Sequence, residues 1–473
     1  MTNTKIVATL GPASSSPEMI RRLLMAGVDV FRLNASHGTV EERNAAIGHI
    51  REASAEIGVE TGILLDLQGP KIRLGTFEGG QAVLEKGAEF CLTTEKVQGN
   101  SGIATTTYAD FARDVKPGDR VLLADGALEL RVLDSDGTVA RCTVVTGGVI
   151  SDKKGINLPG AQLSTPSLTR RDMENLQAGL EAGIDMVALS FVRRPSDVLR
   201  LRLFLEEKGA NLPIIAKIEK PEAVENFKDI LSESDGIMVA RGDLGVELPM
   251  EKVPFIQKSI VEQARRAGKF TIIATQMLET MVGSAVPTRA EISDIANAIY
   301  DGADALMLSA ETSVGRYPVE AVSVMDRTAA EAETSMRRLG FRELPQREYV
   351  THAEIVADSA YNAAKMAGAQ AIVVFSSSGG SARLVARFRP PVPIYVFTPS
   401  TQASRGLSVV YGARPILAAQ MSSTDEMMAL MDRILLERGY VKPRESVVFV
   451  AGQPIGRPGS TNLMKLHRVG EGR

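Results

Sequence analysis

The sequence predicts an α/β protein: a (β/α)8 TIM barrel, a small β-barrel domain inserted into it, and a C-terminal domain built on an open α/β sheet. Three observations carry this. Eight short runs rich in Val, Ile, Leu and Ala alternate with amphipathic stretches up to about residue 339. The helical period vanishes once, between Gly69 and about Ser164. From about Gly340 a second alternation of apolar runs and helical stretches begins.

The eight runs are Thr4–Leu10, Val28–Asn34, Gly62–Leu67, Asp185–Phe191, Pro213–Glu219, Gly236–Arg241, Thr271–Gln276 and Ala305–Ser309. Both faces of each are apolar, as in parallel strands covered on two sides. Helices are expected at Pro17–Ala26, near Thr169–Glu181, Ser196–Lys208, Pro221–Leu231, Pro254–Ala267, Arg289–Tyr300 and Pro318–Leu339. The first has Pro in its opening turn and Gly27 just past its end. In the interruption, alternating apolar residues and the Asp136-Gly137 turn point to strands, hence a small all-β domain inserted after the third strand, over residues 69–164. The barrel then takes residues 1–68 and 165–339, and the C-terminal domain residues 340–473. Its expected strands are Ala371–Ser376, Pro393–Thr398, Pro415–Ala418 and Ser446–Ala451, with a last segment near Leu463–Val469.

A chain of 473 residues with 44% hydrophobic and 23% charged residues forms ordinary globular cores without staples. A net charge of −3 gives no reason to expect nucleic-acid or membrane-surface binding. No apolar run reaches the ~20 residues of a membrane span. The opening residues lack the shape of a secretion signal, and the two cysteines, Cys91 and Cys142, are expected as free thiols in a reducing, cytoplasmic setting.

In barrels of this kind chemistry sits at the carboxyl ends of the strands. Those ends carry Thr9, Arg32 with Asn34, Asp66, Ser190, Lys217 with Glu219, Asp243 beyond Arg241, Thr275, and Ser309 with Glu311. Polar groups closing apolar strands are costly unless they are paired or used. Glu219 and Asp243 end neighbouring strands, roughly 4.8 Å apart, so the two carboxylates suit a shared Mg2+ or Mn2+. Arg32 and Lys217 supply positive charge for a phosphoryl group. Ion pairs serving structure alone would also leave a polar, anion-binding rim. These residues imply metal-assisted chemistry on a small anion and do not name it.

Segments along nearly the whole chain resemble the pyruvate kinase family. They include TKIVATLGPAS (Thr4–Ser14), FRLNASHG (Phe31–Gly38), LDLQGPKIR (Leu65–Arg73), KKGINLPG (Lys153–Gly160), AKIEKPE (Ala216–Glu222) and MVARGDLGVE (Met238–Glu247). ATQMLETM (Ala274–Met281), the long run Pro287–Thr312 and TNLMK (Thr461–Lys465) complete the match. The resemblance implies phosphoryl transfer from phosphoenolpyruvate to ADP, giving pyruvate and ATP. It places Arg32 on the phosphoryl group and Lys217 on the transferring phosphoryl and the enolate oxygen. Glu219 and Asp243 would hold the metal, and Gly242, Asp243 and Thr275 the substrate carboxylate. Thr275, Ser309 and Glu311 would lie on the side from which a proton reaches the enolate. Thr9, Pro12, Asn34, His37, Arg73 and Arg194 would belong to the nucleotide side, where a second Mg2+ arrives with ADP. The insert would close as a lid, hinged at Gly69-Pro70 and Leu158–Gly160. A homotetramer is also implied.

Two features depart from the family's common pattern. Potassium-dependent members carry Thr-Lys directly after the third-strand aspartate and a Glu three positions further on. Here those positions are Leu67, Gln68 and Lys71, so potassium is expected to be dispensable. Asn34, Ser36 and Asp66 would leave the monovalent cage partly present, with Lys71 substituting for the ion. The loop Ser376, Ser377, Ser378, Gly379, Gly380, Ser381 resembles the effector phosphate loop, but Gly380 stands where many members have Arg. The effector would be a phosphorylated sugar or nucleotide. Two competing readings are another phosphoenolpyruvate-using barrel, such as a metal-dependent aldolase, and a phosphosugar-sensing protein without activity. The insert with Arg73 weighs against the first, and intact Lys217, Glu219, Asp243 and Thr275 against the second.

Overall fold

Eight strands, Lys5–Thr9, Val30–Asn34, Gly62–Asp66, Met186–Leu189, Ile214–Ile218, Gly236–Ala240, Phe270–Ala274 and Ala305–Leu308, form a closed parallel barrel in the computed structural model. The structure describes residues 2–161, 164–339, 351–455, 457 and 459–471. The first strand closes on the eighth, with Lys5 opposite Ala305. Side chains alternate between two layers along each strand. Ile6 and Ala8 join the layer beneath the helices, whereas Val7, Val30, Leu64, Ala188, Ile215, Ala274 and Met307 belong to the other layer. A step of two residues from these inward positions reaches Thr9, Arg32, Asp66, Ser190, Lys217 and Ser309. The strand period therefore carries the inward row out to one polar rim.

The expected helices form with shifts of a residue or two, apart from one. The stretch expected as Pro221–Leu231 is two helices, Pro221–Glu225 and Phe227–Glu233. They meet at Asn226, whose amide donates to the Arg193 carbonyl (2.9 Å). An 18-residue helix, Val40–Ile57, follows the second strand where no helix was read. Its apolar stripe is thin, with Ala46, Ile47, Ile50 and Ala53 buried, but Thr39 and Glu42 close a reciprocal capping box that the sequence does display.

The insert packs around Phe90, Phe111, Leu123, Leu130 and Val144. Leu128–Ser135 and Val139–Thr146 pair across the Asp136-Gly137 turn, with Gly137 at φ 89°. The strands of this expected small β-barrel domain hydrogen-bond as a six-stranded sheet and a two-stranded ribbon. A short helix, Phe111–Asp114, and a 3-10 turn, Glu78–Gly80, interrupt the β pattern. Both hinge segments contain a glycine at positive φ, Gly69 at 65° and Gly160 at 76°. That region favours glycine, and both fold there without strain.

The C-terminal sheet takes the order Ala413–Leu417, Ile394–Thr398, Ala371–Phe375, Ser446–Gly452, Thr461–Arg468, the last antiparallel. The expected boundary at 340 lies outside the described residues. Asp304, at the foot of the eighth barrel strand, ties this domain to the barrel. It accepts the Arg389 guanidinium (2.8 Å) and the Tyr411 N–H (3.1 Å) from the C-terminal domain, and the Thr271 N–H (3.0 Å) from the barrel. Cys91 and Cys142 are both free thiols.

Candidate active site

The rim is organised around one buried ammonium. Lys217 Nζ lies 2.7 Å from Glu219 Oε1 and 3.3 Å from Asp66 Oδ1, and donates to Ser190 Oγ at 2.7 Å. Burial alone would lower its pKa, but Asp66 and Glu219 outweigh burial and hold the lysine well above its ordinary value. Asp66 also receives Arg32, whose Nη2 is 2.7 Å from Oδ2. Burial pushes the Asp66 carboxyl up, yet Lys217 and Arg32 together bring it below the ordinary carboxylate range. Arg32 Nη1 donates to the Thr9 hydroxyl (3.1 Å), which donates in turn to the Leu308 carbonyl (2.8 Å). Thr9 is thus a buried support for Arg32.

Glu219 is the strained member of the group. Burial pushes its carboxyl up and the neighbouring Asp243 charge adds to this, while Lys217 pulls against both. Its second oxygen accepts the Phe191 N–H at 2.9 Å. Asp243 sits in the first turn of the helix Arg241–Glu247, three residues past the sixth strand rather than at its end. The helix turn still brings its charge to bear on Glu219. Two carboxylates brought this close, one of them buried, offer all-oxygen ligands that fit a hard divalent cation. Among the described residues no group of three or more His, Cys, Asp or Glu is placed to hold a metal ion, so a divalent cation here would draw its other ligands from substrate and water.

The seventh strand ends in a tight loop. Thr275 and Gln276 both have positive φ, 70° and 55°. The Thr275 hydroxyl accepts the Gly242 N–H (2.7 Å) and donates to the Ala274 carbonyl (2.6 Å). Glu311 is fully buried, and its oxygens accept the Leu278 N–H (3.0 Å) and the Ser309 N–H (2.7 Å). Its carboxylate braces the loops carrying Thr275 and Ser309.

On the opposite side of the rim, burial first and then the charges of Lys71, Arg73 and Arg32 hold His37 below its ordinary pKa. Arg73 Nη1 donates to the Lys153 carbonyl at 3.1 Å, at the root of the insert. Asn34 Oδ1 accepts the Ser36 N–H at 3.0 Å. Pro12 lies in the turn after the first strand, and Arg194 precedes the helix Pro195–Glu207, its backbone N–H on Asp197 (3.3 Å). Lys71, Asp125, Asn157, Lys220 and Asp243 line a narrow gap between insert and barrel. There Glu247 binds the Lys220 ammonium and accepts from Asn157 Nδ2 (3.2 Å). Sequence reasoning passed over Lys220, Glu247 and Asn157, although all three lie within the quoted segments.

In the C-terminal domain, Gly379 adopts φ 77° and its N–H meets Ser376 Oγ at 3.0 Å, curling the serine loop. The Ser381 hydroxyl bonds that of Thr461. The loop borders a cavity of 370 Å3 reaching Lys269 of the barrel, Arg383 and Arg457, with Phe397 and Met421 among its apolar lining. The structure thus gathers the barrel-rim residues into one site and leaves Ser376, Ser377, Ser378, Gly379 and Ser381 in a separate one.

Comparison with known proteins agrees along the whole chain. The family described as "Pyruvate kinase, barrel domain" matches residues 1–322, and "Pyruvate kinase, alpha/beta domain" matches residues 354–467. The pyruvate kinase of Corynebacterium glutamicum is 44% identical over 468 residues, covering 99% of this chain and 98% of its own length. That of Staphylococcus aureus is 42% identical over 478 residues, covering 100% of this chain and 81% of its own. A crystal structure of a pyruvate kinase from Cryptosporidium parvum superposes with a TM-score of 0.91 at 34% identity, covering 99% of this chain and 96% of that one.

Proposed function

This chain belongs to the pyruvate kinase family, which moves a phosphoryl group from phosphoenolpyruvate to ADP, and from that premise we propose how its own residues divide the work. The observation that carries the proposal is the Lys217 ammonium held between Glu219 and Asp66 on the rim that also presents Arg32. Enzymes of this family use Mg2+. Glu219 and Asp243 would hold it, and Mn2+ suits the same oxygens. A divalent ion held there would supply positive charge to offset that of the substrate's phosphoryl and enolate oxygens.

Phosphoenolpyruvate binds with its carboxylate toward the N–H groups of Gly242 and Asp243 and the Thr275 hydroxyl. Arg32 takes the phosphoryl oxygens. Phosphoryl transfer asks for positioning and charge stabilisation rather than covalent help. Lys217 supplies charge where it builds up, on the transferring group and on the enolate oxygen left behind. In the second half-reaction the C2=C3 electron pair forms a bond to a proton and the C2–O− becomes a carbonyl, giving pyruvate. Thr275, Ser309 and Glu311 lie on the side from which that proton comes.

ADP enters from the side of Pro12, Asn34, His37, Arg73 and Arg194, with Thr9 supporting Arg32 beneath them. The insert closes over the site on Gly69 and Gly160, excluding water that would otherwise take the phosphoryl group. Lys71 stands in for the monovalent cation, leaving Asn34, Ser36 and Asp66 without a potassium ion to hold. This is supported by Asp66 being engaged by Lys217 and Arg32, and Asn34 by the Ser36 amide. A phosphorylated sugar or nucleotide binds at Ser376, Ser377, Ser378, Gly379 and Ser381 and adjusts activity. A cytoplasmic homotetramer is the assembly the family suggests.

The assay is pyruvate formation dependent on both ADP and phosphoenolpyruvate, coupled to NADH oxidation. Wild-type turnover that disappears in Lys217→Met supports the assignment. A Lys217→Met enzyme as active as wild type would overturn it.

A further inference from the structure

The sharpest local irregularity in the barrel is the loop after the seventh strand, where two consecutive non-glycine residues take positive φ, the first of them β-branched. Threonine is rarely found there, and such a conformation persists only where surrounding contacts over-determine it. Those contacts converge on a single guanidinium. Arg241 Nη2 donates to the Thr275 carbonyl at 2.7 Å and lies 2.8 Å from Met277 Sδ, and its Nε points at the Ala274 carbonyl at 3.4 Å. Its other amino group is fixed by Asp294, 53 residues away in the helix Arg289–Asp301, at 2.7–2.8 Å from the two oxygens. Arg241 is also the first residue of the helix that presents the Gly242 N–H to Thr275 and carries Asp243.

We infer that Arg241, anchored by Asp294, is a positioning residue for this reaction. It holds Thr275 in its left-handed conformation, so that the hydroxyl stays on the Gly242 N–H at the rim. It acts through Thr275 and touches no reacting atom. The inference rests on the reading of Thr275 as the residue on the proton-delivery side. A planar fork suits this task. It satisfies several carbonyl-side acceptors on one edge and a carboxylate on the other, which a lysine does not. Without it, the loop is free to relax toward negative φ, carrying the hydroxyl away. A misplacement of about 1 Å at such a group costs on the order of a hundredfold in rate.

The test is a double-mutant cycle on the full-length enzyme, read by two assays. One is turnover in the forward direction. The other is exchange of the pyruvate methyl protons with D2O in the presence of Mg2+ and ATP, followed by proton NMR, which isolates the proton-transfer half. Arg241→Met should slow exchange about a hundredfold, a larger change than its effect on the KM for phosphoenolpyruvate. Asp294→Asn should give a smaller loss, about tenfold, and serves if Arg241→Met fails to fold. In a Thr275→Ala background, either change should slow exchange by no more than about threefold, because its target is gone. If the losses multiply in that background, Arg241 supports the fold generally and the inference fails while the reading of Thr275 stands. If Thr275→Ala alone leaves exchange unchanged, the reading of Thr275 fails, and the inference with it.

Discussion

Lys217 and Glu219, two residues apart on one inward-facing strand row, form a buried ion pair at 2.7 Å. Burying each charge alone would be costly, and here each is the other's compensation. The pair keeps a cation and a desolvated carboxylate ready at the rim before any substrate binds. Replacing Lys217 by Met removes that compensation and should lower turnover by at least a hundredfold, about 3 kcal/mol, with little change in the KM for phosphoenolpyruvate. A rise in KM alone would make Lys217 a ground-state binder.

Asp243→Asn addresses the metal. The change is isosteric and the residue lies in a helix's first turn, so the fold should persist. Losing one of two carboxylates should raise the Mg2+ concentration needed for half-maximal activity and lower turnover about a hundredfold. Circular dichroism checks the fold and a Mg2+ titration the affinity. Near wild-type turnover at limiting Mg2+ removes Asp243 from the site.

Potassium should be dispensable. Lys71 is exposed in the gap between insert and barrel, and its charge reaches His37. A lysine charge about 4 Å from a monovalent site would oppose a second cation by roughly 4 kcal/mol at an effective dielectric of about 20. Turnover in a tetramethylammonium salt should match that in about 100 mM potassium at equal ionic strength. Lys71→Glu, combined with Leu67→Thr and Gln68→Lys, should make turnover at least partly potassium-dependent. Tenfold stimulation of the wild type by potassium contradicts the expectation.

Ser381→Asp concerns regulation. A carboxylate beside the serine loop repels a phosphate and fills part of its pocket. Titrations with a panel of sugar phosphates and nucleotides should find an activator for the wild type and none for the variant. Activation that survives the change locates the effector elsewhere.

Glu247→Gln tests the contact between insert and barrel. Glu247 joins Lys220 of the barrel to Asn157 near the hinge. Without its charge the closed insert should be held less firmly. The KM for ADP should rise about fivefold, and more phosphoenolpyruvate should be lost to water per ATP formed. Unchanged coupling between pyruvate and ATP counts against a role in closure.

The sequence by itself determined the three-part fold, the eight strands and the identity of the rim residues. The reason is periodicity. Burial of both strand faces writes itself as apolar runs, and a two-residue step from Val30 to Arg32, Leu64 to Asp66 and Ile215 to Lys217 marks where a buried row meets the rim. Reciprocal caps such as Thr39 with Glu42 were equally legible, though the thin apolar stripe of that helix hid them. Tertiary structure alone decided which partner each polar group found. Arg241 reaches Asp294, Asp172 reaches across 104 residues to hold the Gln68 N–H beside the hinge, and Asp304 reaches Arg389 in another domain. It also decided that Thr275 takes a conformation its side chain disfavours. Local pattern encodes how much of a residue is buried. The direction of a long polar side chain, and the strain a loop sustains, depend on groups brought together from distant parts of the chain.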